Sequence, residues 1–151
     1  MEIIYAHERP ADLSGPSIFL AGPSPRGSED HNWRPWALDR LSLMGFAGTV
    51  YVPLPRDGKW LENYDAQVDW ELDHLEAARV IVFWVPRDLV HLPGFTTNVE
   101  FGLFAQSGKC VFGYPKVAVK VRYLHRVAER FNIPIFNDLD ATLRCAIGKC
   151  V

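Results

Sequence analysis

Residues 79–85 read Arg79-Val80-Ile81-Val82-Phe83-Trp84-Val85, which is a continuous apolar run after its first residue. The run is too short for a helix and is rich in β-branched and aromatic residues. This pattern is typical of a central parallel strand that is buried on both faces. Pro86, Pro93 and Gly94 then break the backbone, so a loop is expected to follow the strand.

The segment after this loop predicts a helix that begins near Glu100. Good N-cap residues precede Glu100, namely Thr96, Thr97 and Asn98, and Gly108 ends the helix after Ser107. At a helix start, free N–H groups and the helix dipole favour an ionised carboxylate. An ionised carboxylate can attack an electrophilic carbon, so Glu100 is the candidate nucleophile. The alternative is an ordinary first-turn glutamate without a chemical role.

The rest of the chain alternates predicted strands and helices. The other predicted strands span residues 17–23, 49–53, 109–114 and 133–136. This series predicts an α/β fold with a doubly wound, five-stranded parallel sheet, Rossmann- or flavodoxin-like, in three layers. Residues 1–16 are expected to form an N-terminal arm, with at most an irregular strand, and residues 17–151 a single domain. Ligands of such sheets bind at the carboxyl edge of the strands.

The loop after residues 17–23 supplies candidate binding residues at that edge. Gly22 and Pro23 make a tight turn at the end of the strand. The following flexible segment, which contains Arg26 and Gly27, is either an anion cradle or a plain surface loop, because it matches neither known phosphate-binding fingerprint. Arg34 follows at a predicted helix start and is expected to be either solvated or turned back toward this loop.

A helix predicted over residues 65–78 supplies a second candidate acid. Glu71 falls on the same helical face as Val68 and Leu75. A carboxylate on an apolar face requires a partner or a function, because its burial is costly. Glu71 is therefore either a site acid or a residue at the rim of that face.

Composition excludes several classes of partner. The chain has 151 residues, a formal net charge of −2 and an isoelectric point near 6.2, so no basic footprint for a polynucleotide is present. Three cysteines without a CxxC pair suit a reducing compartment. Neither a signal-peptide pattern nor an apolar run of about 18 residues occurs, so a soluble cytoplasmic protein without a membrane partner is expected.

Short motifs occur in a characteristic order and spacing along the chain. They are Ile18-Phe19-Leu20-Ala21-Gly22-Pro23, Trp33-Arg34-Pro35, Val52-Pro53, Trp70-Glu71, Val80-Ile81-Val82-Phe83-Trp84-Val85-Pro86 and Thr96-Thr97-Asn98-Val99-Glu100-Phe101-Gly102. Together they resemble the nucleoside 2-deoxyribosyltransferase family, and closely its bacterial nucleoside 2-deoxyribosyltransferase-like branch. The resemblance runs nearly from end to end.

The resemblance implies roles for particular residues. Glu100 matches the glutamate of the Glu-x-Gly motif, which attacks C1′ of the sugar while the base leaves. Glu71 matches a second, sugar-facing acid that is normally aspartate. Phe19 stands where the transferases usually have tyrosine, and in related nucleotide hydrolases phenylalanine there accompanies acceptance of a ribose 2′-hydroxyl. Gly94 replaces a further acid, for which Asp88 is the expected substitute.

The resemblance also implies assembly. The family completes its sites with a polar residue from a neighbouring subunit, which here falls among Lys120, Arg122 and Tyr123. A homodimer or higher homo-oligomer with shared sites is therefore expected. No cofactor is implied. No metal is expected either, because the histidines are isolated and show neither HxH nor HExxH spacing. They are His7, His31, His74, His91 and His125.

These observations predict an N-glycosidic bond enzyme that acts on nucleosides, a small-molecule substrate. It would transfer a (2-deoxy)ribosyl group between bases through a covalent glycosyl-Glu100 intermediate, with Glu71 as the second catalytic residue. The group that assists departure of the base is Glu71, Asp88 or a bound water. The alternatives are a nucleoside 5′-monophosphate N-glycosidase and a non-catalytic nucleotide- or nucleoside-binding protein. The expected substrate-binding residues are Phe19, Gly22, Pro23, Arg26, Gly27, Asp88, Asn98 and Tyr123.

Overall fold

A computed structural model describes residues 1–10, 14–27 and 31–150 of the chain. Within these residues one sheet contains the strands β1 (Glu2–Tyr5), β2 (Ser17–Ala21), β3 (Thr49–Val52), β4 (Val80–Trp84), β5 (Cys110–Gly113) and β6 (Ile135–Phe136). The helices of the same residues are α1 (Arg34–Leu43), α2 (Tyr64–Ala77), α3 (Phe95–Phe104), α4 (Arg122–Arg130) and α5 (Leu139–Lys149).

The strand order is β1-β3-β2-β4-β5-β6, and every neighbouring pair is parallel. The predicted fold class, a doubly wound parallel α/β sheet, is confirmed. The predicted number of strands is wrong by one, because residues 2–5 pair with β3 and extend the sheet at its edge. Ile4 in this added strand is 4% exposed, so burial of its side chain helps to hold the short segment in place.

Strand side chains alternate between two cores, one on each face of the sheet. On one face they pack with α2, α3 and α4, through buried residues that include Phe19, Phe83, Phe101, Phe112 and Leu124. On the other face they pack with α1 and α5, through buried residues that include Leu20, Leu41, Val82, Val111 and Leu143. Burial on both faces explains why β4 is apolar at every position rather than alternating.

The position of β2 between β3 and β4 creates a switch point. The loop after β2 leads to α1 on one face of the sheet, and the loop after β4 leads to α3 on the other face. The two loops therefore diverge and leave a crevice at the carboxyl ends of β2 and β4. Doubly wound sheets bind their ligands in this crevice.

Gly22, directly after β2, is where the backbone of β2 lies against that of β4. Its φ is +146°, and a Cβ atom there would lie 2.0 Å from the Trp84 carbonyl oxygen. We expect Gly22→Ala to lower the free energy of unfolding by about 2 kcal/mol or more, because the methyl group has no space. Urea unfolding measures the change.

The matched control is Gly148→Ala on α5, where an added Cβ atom would meet no heavy atom within 4 Å. Its stability should be unchanged or higher by about 0.5–1 kcal/mol, because alanine favours a helix over glycine. Wild-type stability in Gly22→Ala would contradict the close approach of the two strands.

Candidate active site

The helix that carries Glu100 begins earlier than the sequence indicates. Helix α3 starts at Phe95, and its N-cap is Gly94 in the left-handed conformation with φ 63°. Thr96 and Asn98 therefore lie inside the helix instead of capping it, and Glu100 lies in the second turn. The expectation that free N–H groups at the helix start hold Glu100 ionised is wrong, because those groups lie a turn further toward the N-terminus.

Glu100 instead meets Glu71, which α2 brings to the same place. The two side chains are partly buried and hydrogen-bond to each other. Burial, the negative charge of Glu71 and the hydrogen bond to Glu71, in this order of size, together raise the pKa of Glu100 to about 8. The Arg34 charge has the opposite effect and lowers this pKa. The two acids predicted from separate motifs thus form a carboxyl pair, with Glu100 favouring its protonated form.

Gln67 supports Glu71 from one helical turn before it. The Gln67 side chain is 4% exposed, and its Nε2 donates to Glu71 Oε1 over 2.6 Å. The same Nε2 lies 3.4 Å from the Pro53 carbonyl oxygen, just past β3. Gln67 therefore ties the position of Glu71 to the carboxyl end of the sheet.

Arg34 is turned back into the protein, which was one of its two predicted positions. It is 1% exposed at the start of α1. Its guanidinium donates to the carbonyl oxygens of Leu20, Gly22 and Pro23 over 3.0, 2.7 and 3.3 Å. Arg34 thereby shapes the β2–α1 loop and also places a positive charge near Glu100.

The predicted binding residues of the β2–α1 loop occupy different environments. Pro23 is buried, and its carbonyl oxygen accepts a hydrogen bond from Trp33 Nε1 over 3.1 Å. Arg26 and Gly27 are exposed. The Arg26 guanidinium lies 5.3 Å from the Phe95 ring centroid, at the first residue of α3. Ser28, which ends the loop segment predicted as an anion cradle, lies outside the described residues.

Asp88 organises its own loop. Its Oδ1 accepts hydrogen bonds from the backbone N–H groups of Val90 and His91 over 2.8 and 2.6 Å. These bonds lower the pKa of Asp88, the bond from His91 most strongly. A carboxylate that is held ionised is a poor proton donor at neutral pH. Asp88 is therefore a weaker candidate than Glu71 for protonating a leaving base.

Asp88 also belongs to a cluster with His31 and His91. Among the described residues, these three side chains place their potential metal-ligand atoms within 4.8 Å of one another. The two imidazole rings are stacked, with centroids 4.0 Å apart and an angle of 18° between the planes. Their in-plane nitrogen lone pairs therefore lie in two nearly parallel, separated planes and do not converge on one point. This geometry does not assign a metal ion.

The predicted binding residues Asn98 and Tyr123 lie on the outer side of α3 and on α4. Asn98 Oδ1 accepts a hydrogen bond from buried Arg87 over 2.5 Å, and Arg87 also donates to the carbonyl oxygens of Lys120 and Gly94. Tyr123 is 82% exposed. Asn98 and Tyr123 line a cavity of about 220 Å³ between the two helices. The structure thus brings Asn98 and Tyr123 together at a cavity that Glu71 and Glu100 do not line.

Phe19 lies in the core and not on an exposed wall. It is fully buried, and its ring centroid lies 6.4 Å from that of Tyr51 and 6.3 Å from that of Trp70. The ring faces the same side of the sheet as α2, the helix of Glu71. Its contact with a sugar stays a prediction.

A second cavity, of about 300 Å³, lies on the β3 side of the crevice, and neither Glu71 nor Glu100 lines it. Its walls come from the β3–α2 loop, the start of α1 and β1, and include Arg34, Leu54, Trp60 and Tyr5. Arg34 lines this cavity, and its charge also acts on Glu100. Its mixed aromatic and cationic lining and its volume suit a small aromatic ligand.

Sequence reasoning did not single out Gln67 or Arg87. The signal for Gln67 is its spacing of four residues before Glu71, which places both side chains on one helical face. Arg87 follows Pro86 in a loop, and its acceptors at Gly94, Asn98 and Lys120 are separated from it in sequence. Local pattern alone does not reveal such partners.

Comparison with known families agrees with this architecture. The sequence profile of the family described as nucleoside 2-deoxyribosyltransferase like matches residues 15–117. The chain belongs to this family. The matched region contains β2 to β5 and therefore both acids of the pair. No curated protein matches the chain at a significant level. Among the described helices, none is long and apolar enough to cross a membrane.

We expect Arg34→Met to lower the free energy of unfolding by about 3 kcal/mol, because buried carbonyl oxygens lose their donors. Urea unfolding measures this change. Arg40→Met on the same helix is the control, since the Arg40 ion pair with Asp140 is partly exposed, and it should cost much less. Equal losses in the two variants would show that Arg34 does not hold the loop.

Proposed function

We propose that the protein cleaves the N-glycosidic bond of nucleosides and transfers the (2-deoxy)ribosyl group to another base through a glycosyl-Glu100 intermediate. The Glu71–Glu100 carboxyl pair at the switch point carries this proposal. Membership of the nucleoside 2-deoxyribosyltransferase-like family supports nucleosides as the substrate class. Glycosyl transfer with a carboxylate nucleophile needs two carboxyl groups with different protonation states, and the pair supplies them.

The proposed reaction has two balanced steps. Ionised Glu100 attacks C1′ and forms an ester bond as the bond from C1′ to the base nitrogen breaks. The bonding electrons leave with the base, which takes a proton from Glu71. In the second step an incoming base attacks C1′, gives a proton to Glu71 and releases Glu100 as a carboxylate. Water in place of the base would give hydrolysis.

The pair has to rearrange before attack. Burial and the neighbouring Glu71 charge keep Glu100 protonated near neutral pH, and a protonated carboxyl is not a nucleophile. One proton crossing from Glu100 to Glu71 produces both the nucleophile and the acid. Exclusion of water by bound substrate does not by itself favour this arrangement. The substrate has to stabilise ionised Glu100, and the positive charge that develops at C1′ does so.

A nucleoside 5′-monophosphate N-glycosidase is the second candidate, and Arg26 favours it. The exposed Arg26 guanidinium lies beside Phe95, at the N-terminus of α3. Among the described residues, no side chain caps the N–H groups of this first turn. A helix N-terminus next to an arginine is suited to a phosphate group.

A product screen separates these functions from a protein that binds without turnover. It uses deoxynucleosides, ribonucleosides and their 5′-monophosphates, each with and without an acceptor base. Base exchange that requires an acceptor supports the transferase. Base release from 5′-monophosphates alone supports the N-glycosidase. Binding without release or exchange would contradict both enzymes and leave the non-catalytic alternative.

We expect Glu100→Gln to fold normally and to lower turnover by at least about 10³-fold, since the covalent route needs the carboxylate. Chromatography of released bases measures turnover. Intact mass after acid quenching should show added sugar in the wild type and none in the variant. Asp69→Asn, an exposed change on α2, is the control and should retain activity. Wild-type turnover in Glu100→Gln would exclude Glu100 as the nucleophile.

We also propose that the chain forms a homodimer or a larger homo-oligomer that completes its sites. Helix α3 exposes an apolar stripe at a spacing of four residues, formed by Phe95, Val99 and Leu103 with exposed fractions of 67%, 63% and 63%. Tyr123 on α4 is also largely exposed. A contiguous exposed apolar surface of this kind is typical of a protein interface, and two-fold pairing is its commonest form.

We expect light scattering to give at least the mass of two chains, twice 17.1 kDa, at micromolar concentration. Leu103→Lys should weaken association by at least about tenfold, because it places a charge in the apolar stripe. Leu43→Lys is the control, since Leu43 is 76% exposed on α1, across the sheet. A wild-type monomer with full activity would exclude both the dimer and the shared site.

A further inference from the structure

Gln67 is a buried polar residue beside the site for which the two reaction steps give no role. Its Nε2 donates to Glu71 Oε1 over 2.6 Å, and the side chain is 4% exposed. Its Oε1 is buried and has no hydrogen-bond partner among the described residues. An unsatisfied buried acceptor is normally costly, so its presence next to a site acid requires a reason.

The carboxyl pair next to Gln67 contains one proton near neutral pH. A carboxylate only accepts hydrogen bonds, so the bond between Glu71 and Glu100 needs a proton on one of them. The raised pKa of Glu100 agrees with this state. Arg34 is the other charged group that acts on Glu100, and its positive charge does not remove the proton.

The Gln67 amide makes the two carboxyl groups unequal. Its N–H group donates to Glu71 and stabilises that carboxyl as the ionised acceptor. The proton consequently rests on Glu100. We propose that Gln67 is a positioning residue that determines which carboxyl group carries the shared proton, and that its amide turns when the proton crosses.

Each of the two orientations of the Gln67 amide presents a different polar atom to Glu71. With Nε2 toward Glu71, the pair is Glu100-COOH and Glu71-COO⁻. With Oε1 toward Glu71, the amide accepts the O–H of Glu71-COOH, and Glu100 is the free carboxylate. The proton moves from Glu100 to Glu71 within the pair, so the net charge of the pair is constant. The turn gives up the 3.4 Å hydrogen bond from Nε2 to the Pro53 carbonyl oxygen and brings Oε1, an acceptor, toward that oxygen, so this orientation is the less populated one at rest. The role in turnover rests on the proposed function, whereas the resting proton position does not.

Carbon-13 NMR of protein labelled at the glutamate side-chain carboxyl tests the resting state without substrate. Glu71→Gln and Glu100→Gln assign the two signals, since each variant removes one. We expect the protonated carboxyl shift for Glu100 and the ionised shift for Glu71 at pH 6. The reverse assignment would overturn the proposal, because it would require Oε1 of Gln67 to face Glu71 at rest.

Gln67→Met tests the cause, since methionine fills a similar volume but cannot donate. Without the donor, Glu71 competes better for the proton, so the Glu100 titration midpoint should fall by about one pH unit. Gln106→Met, an exposed change after α3, should leave the Glu100 midpoint unchanged. Unchanged midpoints in folded Gln67→Met would overturn the proposal. If this variant does not fold, Gln67→Leu, which also lacks the donor, makes the same test.

Kinetics then separate this inference from the proposed function. With a substrate found in the product screen, Gln67→Met should shift the pH profile of kcat/KM in the same direction as the Glu100 midpoint, with KM little changed. A shift in the NMR midpoints without a shift in the pH profile would overturn the role of Gln67 in turnover. Full activity in Glu100→Gln would instead refute the proposed function and leave the NMR result for the resting proton valid.

Discussion

The hydrogen bond between the Glu71 and Glu100 carboxyl groups is the interaction on which the site depends. Two partly buried carboxyl groups that hydrogen-bond to each other do not both ionise at neutral pH, so the fold retains a proton. An unfolded chain would release that proton near the ordinary glutamate pKa. The pair therefore makes the folded state less stable as the pH rises toward about 8. The two apolar cores of the sheet offset this cost, which is typical of a functional site.

Arg34 couples the shape of the crevice to its electrostatics. The same guanidinium binds carbonyl oxygens of the β2–α1 loop and lowers the pKa of Glu100, against the effect of Glu71. Burial and the negative charge of Glu71 raise the pKa of Glu100, and the positive charge of Arg34 lowers it. Glu100 is therefore neither fully ionised nor permanently protonated at neutral pH. Such opposed environments are the usual means by which enzymes give two carboxyl groups separate roles.

Much of the fold follows from local pattern. The apolar run of β4 and the alternation of strands and helices predict the doubly wound sheet, and α2 (Tyr64–Ala77) lies within one residue at each end of the predicted helix. The edge strand β1 is less predictable because pairing with β3 holds it. Sequence pattern places the start of α3 too late, because left-handed Gly94 ends the loop directly before Phe95, ahead of the better N-cap residues.

The sequence by itself determined the fold class, the family, and Glu71 and Glu100 as candidate acids, since these depend on periodicity, turn residues and motif order among near neighbours. Only the tertiary structure decided that the two acids meet and that Glu100 favours its protonated form. It also decided that Gln67 donates to Glu71 and that the Arg34 charge acts on Glu100. A pKa depends on burial and on charges brought close through space. The Arg34 acceptors lie on a neighbouring loop, and Glu71 and Glu100 come from different helices, so their contacts exist only once the sheet has brought its loops together.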